Sequence, residues 1–268
     1  LRRPARGASA GDLATAYLAD PGATVRIAGL STWIGAGGRM TRLLGDRAVE
    51  SVPVGMVHGE IAADAGPSGL VHAIGDALVR SADGTRLGRI LEGQTHVRVG
   101  TSLGFAFYRA GGVTVAFVFD PRRGALRQVE GFPPLRGKLV AWSAAFDAAH
   151  VLARFTTEEG GRTERAAHLL DARGGILASE RSSSASGTVL TRTAGAGLPA
   201  VVGGRVLAVG GGGLVLLQAD PITRSFAEVR LFAEASSFVS PETDLLAGSG
   251  GAAFAVSHDE ILELLFVA

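Results

Sequence analysis

Val118-Phe-Asp120-Pro-Arg-Arg-Gly-Ala-Leu-Arg-Gln-Val129 reads as a strand end, a turn and a second strand, and this order recurs along the chain. It returns in Ala16-Tyr-Leu-Ala-Asp20-Pro-Gly-Ala-Thr-Val-Arg-Ile27, in His168-Leu-Leu-Asp171-Ala-Arg-Gly-Gly-Ile-Leu-Ala178 and in Leu217-Gln-Ala-Asp220-Pro-Ile-Thr-Arg-Ser-Phe-Ala-Glu-Val229. Looser copies place Asp46 after Arg42-Leu-Leu-Gly and Asp83 after Leu78-Val-Arg-Ser-Ala. Self-similarity at such spacing marks a repeat architecture. Asp suits the turn because its carboxylate accepts a hydrogen bond from its own backbone two residues on, while Pro presets φ and Gly frees it. The markers therefore read as turn formers. No segment has the Asp-x-Asp-x-Asp-Gly spacing of a calcium loop.

The markers stand at 20, 46, 83, 120, 171 and 220. Spacings run from 26 residues (46 − 20) to 51 (171 − 120), which suits units of three or four short antiparallel strands. The 26-residue interval holds three. Within a unit, a Gly-flanked strand such as Gly104-Phe-Ala-Phe-Tyr108 or Gly204-Arg-Val-Leu-Ala-Val209 leads through a Gly-rich turn into the Asp-marked strand, and a polar strand follows. Thr163 to Leu170 could be read as a helix, but its place in the repeat makes it a strand; Ala10 to Tyr17 is a short helical candidate. The chain ends on a hairpin, Ala252–Val256 and Ile261–Val267, with no pair after it. It begins with a pair, Leu13–Ala19 and Thr24–Ala28, with no hairpin before it. Complementary incomplete ends suggest a ring closed by its terminal strands, which would remove two exposed sheet edges.

Leu169-Leu-Asp171-Ala-Arg-Gly-Gly-Ile-Leu177 resembles the repeats of the β-propeller superfamily, quinoprotein-like and WD40-like. The resemblance covers most of the chain and implies an architecture. It carries no functional residues, because the Gly-His and Trp-Asp pairs of those repeats are absent and Trp33 and Trp142 are the only tryptophans. The expected fold is all-β: a single β-propeller domain over 1–268, with 1–12 as an N-terminal extension. Six blades are expected, seven being the alternative, closed by N- and C-terminal strands.

Composition narrows the function classes. With 47% hydrophobic and 19% charged residues the 268-residue chain can bury a substantial core. Its 39 glycines, about twice the usual share of roughly 7%, are scattered between apolar runs and imply many turns. A net charge of +1 provides no field for nucleic acid or an anionic membrane. Lys138 is the only lysine and Asn is absent, a bias expected of a high-GC, bacterial genome. Without cysteine there is no disulfide, thiolate metal site or Cys nucleophile. No apolar run reaches the roughly 18 residues of a membrane helix. The Leu1 start suggests a processed product or an excised domain, and Leu1-Arg-Arg-Pro-Ala-Arg lacks the apolar run of a signal peptide. The compartment is left open, the cytoplasm slightly favoured over periplasm or secretion.

No motif assigns a catalytic residue, a metal ligand or a cofactor. His58, His72, His96, His150, His168 and His258 form no His-x-x-x-His pair, and His72 and His168 sit inside apolar strands, as core histidines do. Gly203 to Gly213 resembles a phosphate loop, but Leu214-Val-Leu-Leu continues it as a strand rather than a helix, so it reads as a hairpin. Ser182 to Ser186 reads as an inter-unit connection and Val239 to Asp244 as a loop before a late strand. The charged stretch Thr156-Thr-Glu-Glu-Gly-Gly-Arg-Thr-Glu-Arg165 lengthens one hairpin and should project from the scaffold, where binding usually resides. Glu158, Glu159, Arg162 and Arg165 are the candidate partner-binding residues. Arg122 and Arg123 belong to the opposite end of an Asp-marked strand. The expectation is a non-enzymatic protein-interaction platform or docking domain, part of a larger chain or complex, with a protein partner. The alternative is an enzyme or small-ligand binder of hydrolase or lyase type using a central channel.

Overall fold

A computed structural model describes residues 24–28, 31–44, 47–57, 60–91, 95–110, 112–183, 187–192, 197–210, 212–232, 243–247, 252–256 and 261–265. Asp20, Asp46, His58, His258, Leu13–Ala19, the helical candidate at 10–17 and the loop at 239–242 lie outside the described residues. The chain divides into two compact units, Leu1–Gln128 and Val129–Ala268. Both are built from antiparallel meanders.

In the first unit, sheet 1 runs β1 (Thr24–Ala28), β2 (Ser31–Ala36), β3 (Arg39–Leu44) and β4 (Arg47–Pro53). A small hairpin, β5 (Met56–Val57) and β6 (Glu60–Ile61), follows. Sheet 2 is β7 (Ala63–Gly66), β8 (Gly69–Ile74), β9 (Ala77–Arg80) and β10 (Thr85–Arg89). Sheet 3 is β11 (Thr95–Val99), β12 (Gly104–Ala110), β13 (Val113–Asp120) and β14 (Gly124–Gln128). In the second unit, sheet 4 is β15 (Lys138–Phe146), β16 (His150–Glu159), β17 (Arg162–Asp171) and β18 (Ile176–Ser182). A one-turn helix, α1 (Val189–Arg192), leads to sheet 5: β19 (Ala200–Val202), β20 (Arg205–Gly210), β21 (Gly213–Ala219) and β22 (Phe226–Phe232). Sheet 6 has three described strands, β23 (Asp244–Ala247), β24 (Ala252–Val256) and β25 (Ile261–Leu265). Among the described residues no helix is long and apolar enough to cross a membrane.

The four described aspartate markers fall at one structural position, the turn between the third and fourth strand. Asp83 Oδ1 accepts the Thr85 amide at 3.0 Å, Asp120 Oδ1 that of Arg122 at 2.7 Å, Asp171 Oδ1 that of Arg173 at 2.8 Å, and Asp220 Oδ1 that of Ile222 at 2.8 Å. Each is the bond to the residue two positions on that turn chemistry calls for. The third and fourth strands also slip register in all five four-stranded sheets, at Leu43, Gly88, Asp120, Leu170 and Leu217. Such bulges increase the local twist. One boundary differs from the repeat reading. Thr24–Ala28 follows Asp20 in sequence as a fourth strand would, yet it is the first strand of sheet 1. The short 20-to-46 interval explains this, since it holds only the three strands β1 to β3.

Within each unit, first strands pack on first strands and fourth strands on fourth strands. β1 meets β7, β7 meets β11 and β10 meets β14; β15 meets β19, β19 meets β23 and β18 meets β22. Sheets arranged this way bury both faces, so their apolar residues run consecutively instead of alternating with polar ones. Sheet 5 shows it best. Val201, Val206, Val215 and Leu217 join a cluster with Leu152, Ala167, Leu169 and Ala178 of sheet 4. Their sequence neighbours Ala200, Leu207 and Leu214 face Leu245 of sheet 6. Sheet 2 divides likewise: Ala63, Ala65 and Leu70 face Trp33 and Met40 of sheet 1, while Val71, Leu78 and Leu87 face Val97, Val99, Phe117 and Phe119 of sheet 3. Each large apolar side chain so buried contributes about 1.5–3 kcal/mol.

Polar clamps fix the neighbours. The buried Asp64 carboxylate on β7 accepts the Val99 amide of β11 at 2.8 Å. Arg80 donates to the Arg122 carbonyl at 2.6 Å, tying the Asp83 turn to the Asp120 turn. In the second unit the Ser179 amide donates to the Arg224 carbonyl at 2.8 Å.

Candidate functional site

β16 and β17 are ten residues each, the longest described strands, against nine for β15 and eight for β13. Gly160 (φ 57°) and Gly161 (φ 77°) close the hairpin in two residues, the left-handed pair a type I′ turn requires. The charged stretch is therefore strand extension, not an enlarged loop. β15 accompanies it to the tip, where Lys138 pairs with Glu158. Gly137 is held there by contact: a β-carbon on it would strike the Glu158 carbonyl.

The structure separates the candidate residues. Glu158, Glu159 and Arg162 are exposed at the tip, and among the described residues their side chains form no ion pair. Arg165 lies opposite Thr156 on the body of the hairpin. Because side chains alternate along a strand, Arg162 and Arg165 point to opposite faces of β17. Arg165 instead shares its face with Arg154, Thr156 and Ser143, aligned through the Ser143–Arg154 and Thr156–Arg165 pairs.

That face changes character along β16. Leu152 is buried in the core shared with sheet 5. Two residues on, Arg154 opens into a cleft of about 210 Å³ lined by Ser143, Thr156, Arg165, Trp142, Leu190 and Leu198 among others. Arg154 donates from Nη1 to the Gly197 carbonyl at 3.3 Å. The Arg165 Nε is shielded from solvent and, among the described residues, has no hydrogen-bond partner. Burial first, and the like charge of Arg165 second, push the Arg154 pKa below the usual guanidinium range. Nearby acids are engaged elsewhere. Glu180 accepts bonds from the Thr188 amide at 2.6 Å, the Thr188 hydroxyl at 2.7 Å and the Thr191 hydroxyl. Glu164 binds Arg181 at 3.1 Å, and Glu228 binds Arg192 at 2.6 Å. Sequence reasoning missed Arg154, which lies inside the apolar run from Val151 to Phe155. Its signal would have been register: Arg154 falls diagonal to Arg165 once the hairpin is closed at Gly160–Gly161.

A second cleft, of about 810 Å³, lies in the first unit between sheets 2 and 3, lined by Asp76, Arg89, Ile90, Val115, Phe117 and Gln128 among others. Its size suits a small molecule, for which pockets of about 300–1,000 Å³ are usual. Its carboxylate is already committed, since Asp76 binds Arg86 at 2.9 Å and Arg89 at 2.8 Å.

Among the described histidines, His72 and His168 are buried in the sheets. His168 is fully buried, bonds Ser179 through Nδ1 at 2.7 Å and meets Phe132 edge-on. Burial, then the Arg181 charge, lowers its pKa to about 4, so it is neutral at pH 7. His72 is lowered by burial, partly offset by its bond to the Pro53 backbone. His150 meets Asp147 at 3.0 Å, and Asp147 also accepts the Gly204 amide of sheet 5 at 2.9 Å. Burial alone would raise the Asp147 pKa; the amides of Ala149 and Gly204, with His150, outweigh it and hold the carboxyl below its usual range. Among the described residues no group of three or more His, Asp or Glu is placed to hold a metal. Gly203–Gly213 is a hairpin, β20 turning into β21.

No protein-family model matches the chain, and no curated protein matches it. Among solved structures it is similar to KlHsv2 with loop 6CD replaced by a Gly-Ser linker, at 10% identity and a TM-score of 0.43, over 76% of this chain and 68% of that one. It is similar to AztD from Citrobacter koseri at 13% identity and a TM-score of 0.44, over 87% of this chain and 64% of that one. A third is PorZ, a surface component of the type-IX secretion system of Porphyromonas gingivalis, at 11% identity and 0.44, over 89% of this chain. The chain spans less than two thirds of AztD and 37% of PorZ. All three are β-propeller-type folds. TM-scores below 0.5 do not establish a common fold, and the sheet arrangement stands on its own geometry.

Proposed function

We propose that the six sheets are the blades of one propeller and that the chain is a non-enzymatic docking domain for a protein partner. The packing of first strands on first strands within each unit supports the blade assignment. Closure by the N- and C-terminal strands would remove two exposed sheet edges. The observation that carries the docking reading is the long β16–β17 hairpin, a rigid strand pair with Glu158, Glu159 and Arg162 exposed at its tip. Exposed charges with no ion pair among the described residues are available to another molecule, and rigid β scaffolds commonly bind through such projections.

The test is quantitative co-purification with the full-length protein from its native host, beside a Glu158→Ala, Glu159→Ala, Arg162→Ala variant. A stoichiometric partner captured by the parent and lost by the variant is the expected result. An empty capture, or capture unaffected by the three changes, overturns the reading. The other reading, a small-ligand binder or a hydrolase or lyase, is favoured by the size of the sheet 2–3 cleft. It would gain from a ligand whose binding is lost on Asp76→Asn.

A further inference from the structure

We infer that the cleft on β16 and β17 seats a carboxylate side chain from an acidic segment of the partner protein. The inference rests on the docking reading and deepens it. Size is the first argument. At about 210 Å³ the cleft holds roughly seven waters at ~30 Å³ each, and it falls below the ~300–1,000 Å³ of pockets for drug-sized ligands. A single side chain fits; a nucleotide or extended cofactor does not.

Charge is the second. Arg154 and Arg165 line the same cleft, and among the described residues neither guanidinium is paired with a carboxylate. Glu180, on the same face as Arg154 but two strands away, has both oxygens occupied by Thr188 and Thr191. Glu164 neighbours Arg165 in sequence, so it points to the other face, where Arg181 holds it. Two half-buried like charges repel each other, and an anion between them reverses that repulsion. Guanidinium donors suit the task because their fork matches a carboxylate in two parallel bonds. The solvent-shielded Arg165 Nε is an unused donor at this place.

The rim is the third argument, and it favours a peptide over a free inorganic ion. Ser143 and Thr156 place hydroxyls beside the arginines, while Leu198 is a large apolar side chain left 37% exposed. An acid flanked by an apolar residue would satisfy both kinds of surface. Salt should weaken such binding, because exposed parts of the charge pair are screened.

The test uses the full chain and a capped hexapeptide of alternating leucine and glutamate, with its leucine–glutamine counterpart and inorganic phosphate as separate arms. Fluorescence reports locally: Trp142 lines the cleft, Trp33 is buried in sheet 1, and the chain has no other tryptophan. The expected result is saturable binding of the glutamate peptide, weaker at high salt, with at least a tenfold loss in Arg154→Gln and in Arg165→Met. The glutamine peptide should not bind. Equal binding of the two peptides, unchanged affinity in both variants, or binding of phosphate without the peptide overturns the inference. If a variant does not fold, hydrogen exchange on the unaltered protein decides: the peptide should protect amides at 154–156 and 165, and protection elsewhere only overturns it. Failure here with the partner still lost from the tip variant refutes the cleft alone. Peptide binding with no partner captured refutes the docking reading.

Discussion

The cleft between sheets 2 and 3 and the cleft beside sheets 4 and 5 are made by the same meander, yet they treat charge in opposite ways. In the first, Asp76 stands between Arg86 and Arg89, all three substantially exposed, over an apolar floor of Ile90 and Phe117. Water screens these pairs, and exposed ion pairs contribute little, with a median of about 0–1 kcal/mol. In the second, Arg154 and Arg165 are set against each other with no counter-charge from the described residues. Among the described residues, one cleft closes its charges on each other and the other leaves two arginines facing without a carboxylate. The difference separates a site finished within the chain from one that waits for an occupant.

Titration should sharpen the contrast most. His168 lies in the second unit with its pKa lowered to about 4. The unfolded chain takes up that proton near pH 6.5, so this contribution is fully present above pH 6.5 and is lost as pH falls toward 4. The loss amounts to about 3 kcal/mol at ~1.36 kcal/mol per pH unit. Denaturant titrations of the parent and of His168→Gln at pH 7 and pH 4.5 measure it; the variant should lose distinctly less between the two. His72 in sheet 2 has the same sign. A parent protein with flat stability across this window would remove the buried neutral imidazole from the account.

The core between sheets 2 and 3 should break through volume instead. A β-carbon on Gly104 would strike the ring of Phe119, itself 1% exposed at the centre of that core. Gly104→Ala should cost about 1–3 kcal/mol, the range for overpacking a filled interior. Its effect should be equal at pH 7 and pH 4.5, unlike that of His168. A smaller loss is expected from Asp147→Ala, which deprives the Ala149, His150 and Gly204 amides of an acceptor. About 1–2 kcal/mol is reasonable for a part-buried carboxylate. Because the native carboxyl is held below its usual range, that stability is present above about pH 4 and fades as pH drops further.

How much of this could be read in the sequence follows from the range of each interaction. The aspartate turns were legible because Asp83, Asp120, Asp171 and Asp220 act on amides two residues away. The strand at Thr163 to Leu170 was legible from its place in the repeat, against its helical look, and it lies within β17. The grouping of Arg162 with Arg165 was natural by proximity, but a strand sends residues three apart to opposite faces. Arg154 was out of reach for a related reason. Its neighbour in space is eleven positions away (165 − 154), fixed by a register that the two turn glycines set. The roof of the cleft, Leu190 and Leu198, comes from a connection whose one helical turn is anchored by distant acids, Glu180 and Glu228, rather than by its own sequence.

The smallest expected effect separates the two clefts most sharply, because its sign differs between them. Asp76→Asn removes an anion from between two cations, so it should destabilise, though by no more than about 1 kcal/mol given the exposure of the partners. Arg165→Met keeps most of the aliphatic stem that packs on the hairpin while removing one of two facing cations. It relieves the repulsion on Arg154 and eliminates a shielded donor that has no acceptor. The variant should therefore be more stable than the parent by about 0.5–1 kcal/mol, a size consistent with unit charges interacting at an effective dielectric near 20 and partly screened. Matched thermal melts at low and high salt measure both. The gain from Arg165→Met should shrink as salt rises, since salt already screens the repulsion in the parent. It should also vanish when the glutamate peptide is present, because the parent then has the counter-charge the variant no longer needs. Were Arg165→Met to destabilise as Asp76→Asn does, Arg165 would be a structural partner in its own sheet, and the two clefts would be alike.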